Sequence, residues 1–412
     1  MSTATYPRMK ASGMEWIQAI PSEWDVLPLY AVATECGEPN KGMLESNLLS
    51  LSYGRIVNKD INSNDGLLPE SFETYQVVQT DDLVLRLTDL QNDKRSLRSA
   101  IVRERGIITS AYLAVRPQNI FPEYFAYLLR AYDLTKVFYS MGGGLRQSMK
   151  FSDIKRMPIL LPSMEEQIRI ANFLDQEIAK IDSLIFEQER LVELLKIRIE
   201  SLVLESFEAH DTVKLRLANA AQVIQRPVTQ VAGEVYEPLG LYNRGRGLFH
   251  KELRSIEEMG DSDFFWIKNG DLIFSGQFAW EGAVALAYPE EENCVVSHRY
   301  PVVRGEEGIT LTEYLFALFT TSHGNFLLNE SSVGAAGRNR PLNINSLLKE
   351  KIPVPNMLAQ EKIAKMVHQR RNLLVEVANQ RNLLNEHRAT LISAAATGQI
   401  DVRAHAGKKE YA

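Results

Sequence analysis

From Ser163 to Ser206 the chain carries no glycine or proline, and apolar side chains recur at alternating spacings of four and three. Leu174, Ile178, Ile181, Ile185, Val192, Leu195, Ile199 and Leu202 mark the row, with Gln188 as its polar member. That 3.5-residue period keeps one helical face apolar over many turns and predicts a long helix with a seam for a second one. A poorer seam of the same phase runs through Ile363, Val367, Arg370, Leu374, Val377, Arg381, Leu384, Arg388 and Leu391, and Gly398 ends it. Ahead of the first helix the period shortens to two. Trp24–Leu29, Asn47–Ser52, Leu83–Leu87 and Ala111–Arg116 read as strands, Pro122–Tyr139 as a helix, and Met157–Pro162 as an extended segment bounded by prolines.

The whole pattern then recurs. Leu27-Pro-Leu29 matches Leu215-Arg-Leu217, Leu49-Ser-Leu51 matches Leu239-Gly-Leu241, and Asp82-Leu-Val-Leu matches Asp271-Leu-Ile-Phe. Tyr112–Arg116 matches Tyr300–Arg304, and Glu123-Tyr124 matches Glu313-Tyr314. The offset drifts between about 188 and 193, so the frame holds while loops change length. The expected organisation is a first strand-rich domain over 1–162, a helix over 163–206, a second domain over 207–355, a helix over 356–400 and a frayed basic tail over 401–412. The fold class is α+β: two globular domains separated by two long helices that form an antiparallel coiled coil, in a pseudo-two-fold internal repeat.

Charge supports pairing of the helices. Residues 163–205 hold ten acidic and five basic side chains, whereas 357–400 hold six basic and three acidic ones. Opposite net charge on two seams favours their association. An antiparallel pair related by a two-fold axis brings equivalent mid-helix positions together, which predicts that Gln188 and Arg381 meet.

Composition narrows the class. At 412 residues with net charge -6, the chain is long enough for two or three domains and too acidic to coat nucleic acid by bulk charge, although local basic patches remain possible. Cys36 and Cys294 are too few for a disulfide framework or for a zinc site of their own. With no apolar run of membrane-spanning length and no signal-peptide pattern, cytoplasmic residence without membrane contact is expected. Phosphate-loop, dinucleotide-fold and metalloprotease motifs are all missing, so no catalytic residue, no metal site and no cofactor in this chain is predicted.

The loops carry basic, amide and aromatic side chains instead. In the first domain these are Tyr53, Arg55, Arg86, Thr88, Lys94, Arg95, Arg98, Arg146 and Lys150. In the second they are Tyr242, Arg244, Arg246, Ser275, Gln277, Trp280, Arg299, Arg338, Asn339 and Arg340. Arginine can fork onto guanine or phosphate and amides can pair with adenine, so the recurrence of such residues at corresponding loops points to double-stranded DNA. Two other readings compete: a scaffold whose domains bind proteins, and an enzyme with a site around Asp271, His298 and Arg299.

One repeated segment carries a resemblance. Pro158-Ile-Leu-Leu-Pro162-Ser-Met-Glu-Glu-Gln167-Ile and its echo Ile352-Pro-Val-Pro355-Asn-Met-Leu-Ala-Gln360-Glu-Lys-Ile363 lead directly into the two helices. This duplicated junction resembles the DNA specificity subunit of type I restriction-modification enzymes. The resemblance implies two target recognition domains, each reading half of a split site, and a helical spacer that sets the gap between them. It also implies two methyltransferase subunits and two restriction/motor subunits as partners, which would bring S-adenosylmethionine, ATP and Mg. The specificity subunit itself would not be catalytic. A regulatory relative from phage defence without restriction shares the same implied fold.

Overall fold

The computed structural model describes residues 5–61, 71–90, 97–141, 148–229, 231, 233–260, 262–334 and 340–403. The chain divides into two compact units, one formed by residues 1–186 and 380–412 and the other by residues 187–379. The division falls inside both long helices, Met164–Phe207 and Met357–Ala396, so each unit holds half of each.

In the first unit the strand Asp25–Pro28 pairs antiparallel with Pro158–Leu161, with Leu27 opposite Ile159. The domain's entry and exit therefore lie side by side at the start of the helix. A two-stranded ribbon leaves each strand one open edge, where a proline's missing N–H costs no ladder bond. One four-stranded antiparallel sheet runs in the order Ala33–Cys36, Leu113–Pro117, Leu83–Leu85 and Ser99–Ile101. A second runs Arg55–Lys59, Leu48–Ser52, Gly106–Ile108 and Gln76–Val78, with Ile107 parallel to Leu48. The helix Pro122–Leu134 covers the core with Tyr124, Phe125, Leu128, Leu129 and Tyr132. It stops short of the expected Tyr139 because Lys136 adopts a left-handed φ of 63°, and a separate helix begins at Val137.

The second unit repeats these parts. Val213–Arg216 pairs with Lys351–Val354, with Leu215 opposite Ile352. Its four-stranded sheet has the corresponding order Ala221–Ile224, Val302–Gly305, Leu272–Phe274 and Val284–Leu286, covered by the helices Thr312–Thr320 and Ser322–Glu330. The other sheet of the first unit is reduced here to small pairs, Leu239–Leu241 with Leu248–His250 and Phe264–Trp266 with Val295–Ser297, bridged where Pro238 runs parallel to Val295.

The matched residues do matched work. Asp82 is buried and accepts Arg116 Nε at 2.8 Å and Nη2 at 2.9 Å. Asp271 is buried and accepts Arg304 Nε at 2.5 Å, with Arg226 added at 2.7 and 3.1 Å. Such forked pairs fix two strands at a defined register, and removing one partner strands a buried charge. Tyr124 donates to the Leu160 carbonyl at 3.1 Å, and Tyr314 to that of Pro353 at 2.6 Å.

The junction glutamines are clamps. Gln167 Oε1 accepts the Phe121 N–H at 2.7 Å, while its Nε2 donates to the Pro162 carbonyl at 2.9 Å. Gln360 Oε1 accepts the Leu311 N–H at 2.8 Å and its Nε2 donates to Pro355 and Ile309 at 2.8 and 3.0 Å. Phe121 and Leu311 are the N-caps of the covering helices, so each clamp satisfies an orphan helix donor and ties that helix to the long one.

Within each unit the long-helix halves lie antiparallel. In the first, Ile170, Leu174 and Ile178 share a core with Leu391, Ile392 and Ala395, and Arg388 pairs with Asp182. In the second, Ile199, Leu202 and Val203 pack with Ile363 and Val367, and Arg370 faces the charge of Glu193. Every seam position of the first helix, including Leu174, Ile181 and Leu195, is buried or half-buried, as are Leu374, Val377 and Leu384 of the second. Gln188 is half-buried in the second unit and Arg381 exposed in the first, so the expected meeting of the two concerns different units. Among the described residues no helix is long and apolar enough to cross a membrane.

Candidate nucleic-acid interface

The loop residues fall into two groups in each unit. One group lies beside the long helices. In the first unit Tyr53 and Gly54 form the hairpin turn between Leu48–Ser52 and Arg55–Lys59, both with positive φ. Arg130 holds that turn by donating to the Gly54 carbonyl at 2.7 Å, and a Cβ at Gly54 would meet the same guanidinium at 2.5 Å. Tyr53 is 86% exposed, and Arg55 stands 3.8 Å from Asp182, the carboxylate that Arg388 also engages. Tyr53, Arg55, Arg103 and Arg388 line a cleft of about 950 Å³. In the second unit Arg244 and Arg246 line a smaller cavity of about 130 Å³ together with Lys196, Arg370 and Arg371. Arg246 lies over the Tyr242 ring at 5.2 Å.

The other group sits at the loop end of the four-stranded sheet. In the second unit it is one cluster. Gly276 N–H donates to the Arg299 carbonyl at 2.7 Å and Leu342 N–H donates to the Gly276 carbonyl at 2.8 Å, which joins three loops. A Cβ at position 276 would lie 2.3 Å from the Arg299 oxygen, so glycine is required there. Gln277, Arg299 and Arg340 are exposed around this knot, and the Arg340 guanidinium lies 5.5 Å from the Trp280 ring centre. Ser275 is buried and its Oγ holds the turn through the Phe278 N–H at 3.1 Å. The two groups touch at Ala279–Glu281, whose Glu281 carbonyl accepts the Arg244 N–H at 3.1 Å.

The first unit repeats one tie of this knot, the one between the sheet's end and the segment before the long helix, with different side chains. Met149 N–H donates to the Leu87 carbonyl at 2.9 Å, and Thr88 bridges Ser148. Lys150 is exposed beside it, whereas Arg86 and Thr88 are half-buried.

Arg98 corrects the sequence reading. It is fully buried, with Nε on Tyr139 Oη at 2.8 Å, Nη1 on the carbonyls of Arg86 and Thr88 at 3.1 and 2.7 Å, and Nη2 on that of Asp89 at 3.1 Å. Its planar fork knits the loop base together and presents nothing to a ligand. Lys94, Arg95, Arg146, Arg338 and Asn339 lie outside the described residues.

An enzyme site around Asp271, His298 and Arg299 is not assembled. Asp271 is buried and held by two arginines and the Lys268 N–H, while His298 and Arg299 are exposed. The structure does gather a group that sequence spacing concealed: Glu237, His250 and Cys294. Separations of 13 and 44 residues give no local motif, and only the strand pairing brings the three together.

A model of the type I restriction modification DNA specificity domain matches residues 106–194 and 235–385, more than half of the chain. The chain belongs to that family. Target recognition on DNA is accordingly its role. The match enters both repeats and runs into both helices, as the junction glutamines would require. Among solved structures, a chain from work on complex assembly and conformational transition of the type I R-M system aligns at TM-score 0.60 with 15% identity, over 92% of this chain and 99% of that one. The HsdS subunit from Thermoanaerobacter tengcongensis aligns at TM-score 0.48 with 14% identity, over 92% and 98%. The type I S subunit from M. genitalium aligns at 0.44 with 12% identity, over 90% and 96%. No curated protein sequence matches.

Within the second unit, this specificity-family chain also leaves Leu191, Leu194 and Ile197 of the first long helix 49, 52 and 54% exposed. They lie off the seam, so the partner helix does not cover them.

Proposed function

We propose that each unit reads one half of a split DNA target and that the two long helices fix the number of unread base pairs between the halves. One observation carries this reading. The two units share a frame, down to the backbone tie at the end of the four-stranded sheet (Met149 to Leu87 in one, Leu342 to Gly276 in the other), yet dress it differently: Thr88 and Lys150 in one, Gln277, Trp280, Arg299 and Arg340 in the other. Equal frames with unequal side chains suit an asymmetric pair of half-sites. Exposed Arg and Lys would hold phosphates, and amide or guanidinium forks would select bases at about 1–3 kcal/mol per bidentate contact.

The chain supplies recognition without catalysis. Two methyltransferase subunits would dock along the helices, where Leu191, Leu194 and Ile197 offer apolar contact, and would bring S-adenosylmethionine and base flipping. Two restriction/motor subunits would add ATP and Mg. An acidic chain of net charge -6 can bind DNA in such a complex because its partners contribute backbone contacts. The assembly would work in the cytoplasm of a prokaryote.

The test is to map methylated bases in a host that expresses this chain with its methyltransferase. A split motif is expected, and Gln277→Ala with Trp280→Ala should relax one half only. Methylation of a continuous motif, or relaxation of both halves, would overturn the reading.

A further inference from the structure

We infer that the second unit carries a site for a soft divalent cation, zinc above all, held by Cys294 Sγ, His250 Nδ1 and the Glu237 carboxylate. These ligand atoms all lie within 4.8 Å of one another. Sγ is 3.9 Å from His250 Nδ1 and 3.8 Å from Glu237 Oε2. Tetrahedral ligands about 2.0–2.3 Å from zinc stand roughly 3.3–3.7 Å apart, so the sulfur needs only a few tenths of an ångström of closure. Nδ1 and Glu237 Oε1 are hydrogen-bonded at 2.8 Å, a contact that the metal would replace. Thiolate, imidazole and one carboxylate form a donor set suited to zinc rather than to magnesium or calcium, which prefer all-oxygen shells.

The surroundings are those of a built site. Cys294 and Glu291 are only 3% and 5% exposed. Glu291 Oε1 lies 3.8 Å from His250 Nε2, where a carboxylate can orient the ring and fix the tautomer that leaves Nδ1 free for metal. Burial, and then the Glu237 charge, push the Cys294 thiol up to about 12. A bound cation reverses that balance: the thiol proton leaves to solvent as the Sγ–metal bond forms. His250 and Glu237 side chains are 38% and 39% exposed, which provides the entry path and a fourth position for water.

The site has a structural purpose. Glu237 precedes Leu239–Leu241, His250 ends Leu248–His250, and Cys294 leads into Val295–Ser297. Besides the Pro238–Val295 bridge, the hairpin and the strand share the Val295 N–H to Glu237 carbonyl bond at 3.0 Å. The first unit marks the same place by the Ile107 N–H to Asn47 carbonyl bond at 2.9 Å. By the strand register, Asn47, Asn58 and Gly106 then correspond to Glu237, His250 and Cys294. There Asn58 Nδ2 donates to Asn47 Oδ1 at 3.0 Å and to Glu104 Oε1 at 2.6 Å, so hydrogen bonds from an uncharged amide close the frame. In the second unit a cation would do so.

Cobalt titration of the full chain, stripped with chelator, tests this. Expected are one Co²⁺ per chain with tetrahedral visible bands and a thiolate charge-transfer band, displaced by zinc. Cys294→Ser should abolish the charge transfer, Cys36→Ser should leave it, and Glu291→Gln should weaken affinity about 10–100-fold, as orienting carboxylates do. Failure of the wild-type chain to bind either metal overturns the proposal. So does a cobalt spectrum without sulfur character, or loss of that character in Cys36→Ser, and these outcomes stand even where Cys294→Ser does not fold. Because DNA recognition is read out separately, a failure here leaves the functional reading intact.

Discussion

Arg98→Met separates a structural arginine from a DNA-reading one. The substitution keeps most of the apolar stem and removes a guanidinium whose hydrogen bonds include those to Tyr139 Oη and to the carbonyls of Arg86, Thr88 and Asp89. It also removes a contact of the guanidinium with the Tyr139 ring at 5.1 Å. Each buried group left without a partner costs roughly 1–3 kcal/mol. Arg86, Thr88 and Asp89 are only half-buried, so water can recover part of that loss. We therefore expect about 4–5 kcal/mol of destabilisation, the low end of the sum over these bonds. Arg98→Lys should recover little, since an ammonium cannot span four acceptors fixed by a planar fork. Urea unfolding measures the stability. The salt dependence of DNA binding by the folded complex measures phosphate contact, because loss of one contact lowers the slope by about 1. Arg98→Met should lower the midpoint and leave the slope unchanged. An unchanged midpoint with a reduced slope would refute the structural assignment.

Arg340→Ala is the converse: the exposed guanidinium rests on Trp280, so stability should change by less than about 0.5 kcal/mol while DNA affinity falls, checked by the same pair of assays. Gln360→Ala leaves the Leu311 N–H and the Pro355 carbonyl without their buried partner, and should cost about 2–4 kcal/mol; hydrogen exchange should rise in Thr312–Thr320 and not in Pro122–Leu134, and equal loosening of both would sink the clamp. Burial raises the Asp133 carboxyl above its ordinary 3.8, so the folded state holds this proton at pH values where the unfolded state has released it, and stability falls as pH rises through that window. Asp133→Asn, whose amide oxygen can still accept the Arg98 N–H, should flatten that fall in urea midpoints taken from pH 3 upward; an unchanged slope counts against it. Leu191→Glu with Leu194→Glu should weaken assembly with the methyltransferase in size-exclusion runs while the free chain keeps its melting temperature.

What could be read without coordinates depended on whether a residue's partner lies on the same periodic element. The seam from Leu174 to Leu202 is a property of one helix, and its burial follows from spacing alone. The repeat located Asp82 with Asp271 and Gln167 with Gln360, but not their tasks, because the partners Arg116, Arg304, Phe121 and Leu311 stand at separations of 34, 33, 46 and 49 residues. Arg98 looked like its neighbours in a basic loop because burial of a loop arginine depends on which carbonyls the loop turns inward. Glu237, His250 and Cys294 were hidden for the same reason, and so was the break at Lys136, whose left-handed backbone no propensity of lysine announces.

The interactions that hold each frame are separable from the exposed loop side chains proposed to read DNA, with one exception that makes the units unequal. Buried Asp–Arg forks, tyrosine hydroxyls and glutamine clamps fix strands and covering helices, while Gln277, Arg299, Arg340 and Lys150 reach solvent. Exchange of such exposed residues perturbs stability little, so target preference can change without rebuilding the fold. The second unit comes nearer to this condition, although Trp280 Nε1 ties its loop by donating to the Gln277 carbonyl at 3.2 Å. At the base of its knot Ser275 N–H donates to the Ala283 carbonyl at 2.9 Å, and the equivalent bond in the first unit runs from Arg86 N–H to Arg98 at 2.8 Å. Where the second unit has a methyl group, the first has a buried guanidinium that gathers carbonyls from the adjoining loop. New loop sequences grafted into the first unit must therefore supply acceptors for Arg98 or replace it, whereas grafts into the second must keep the glycine at position 276 and the Ser275 hydroxyl that holds the turn.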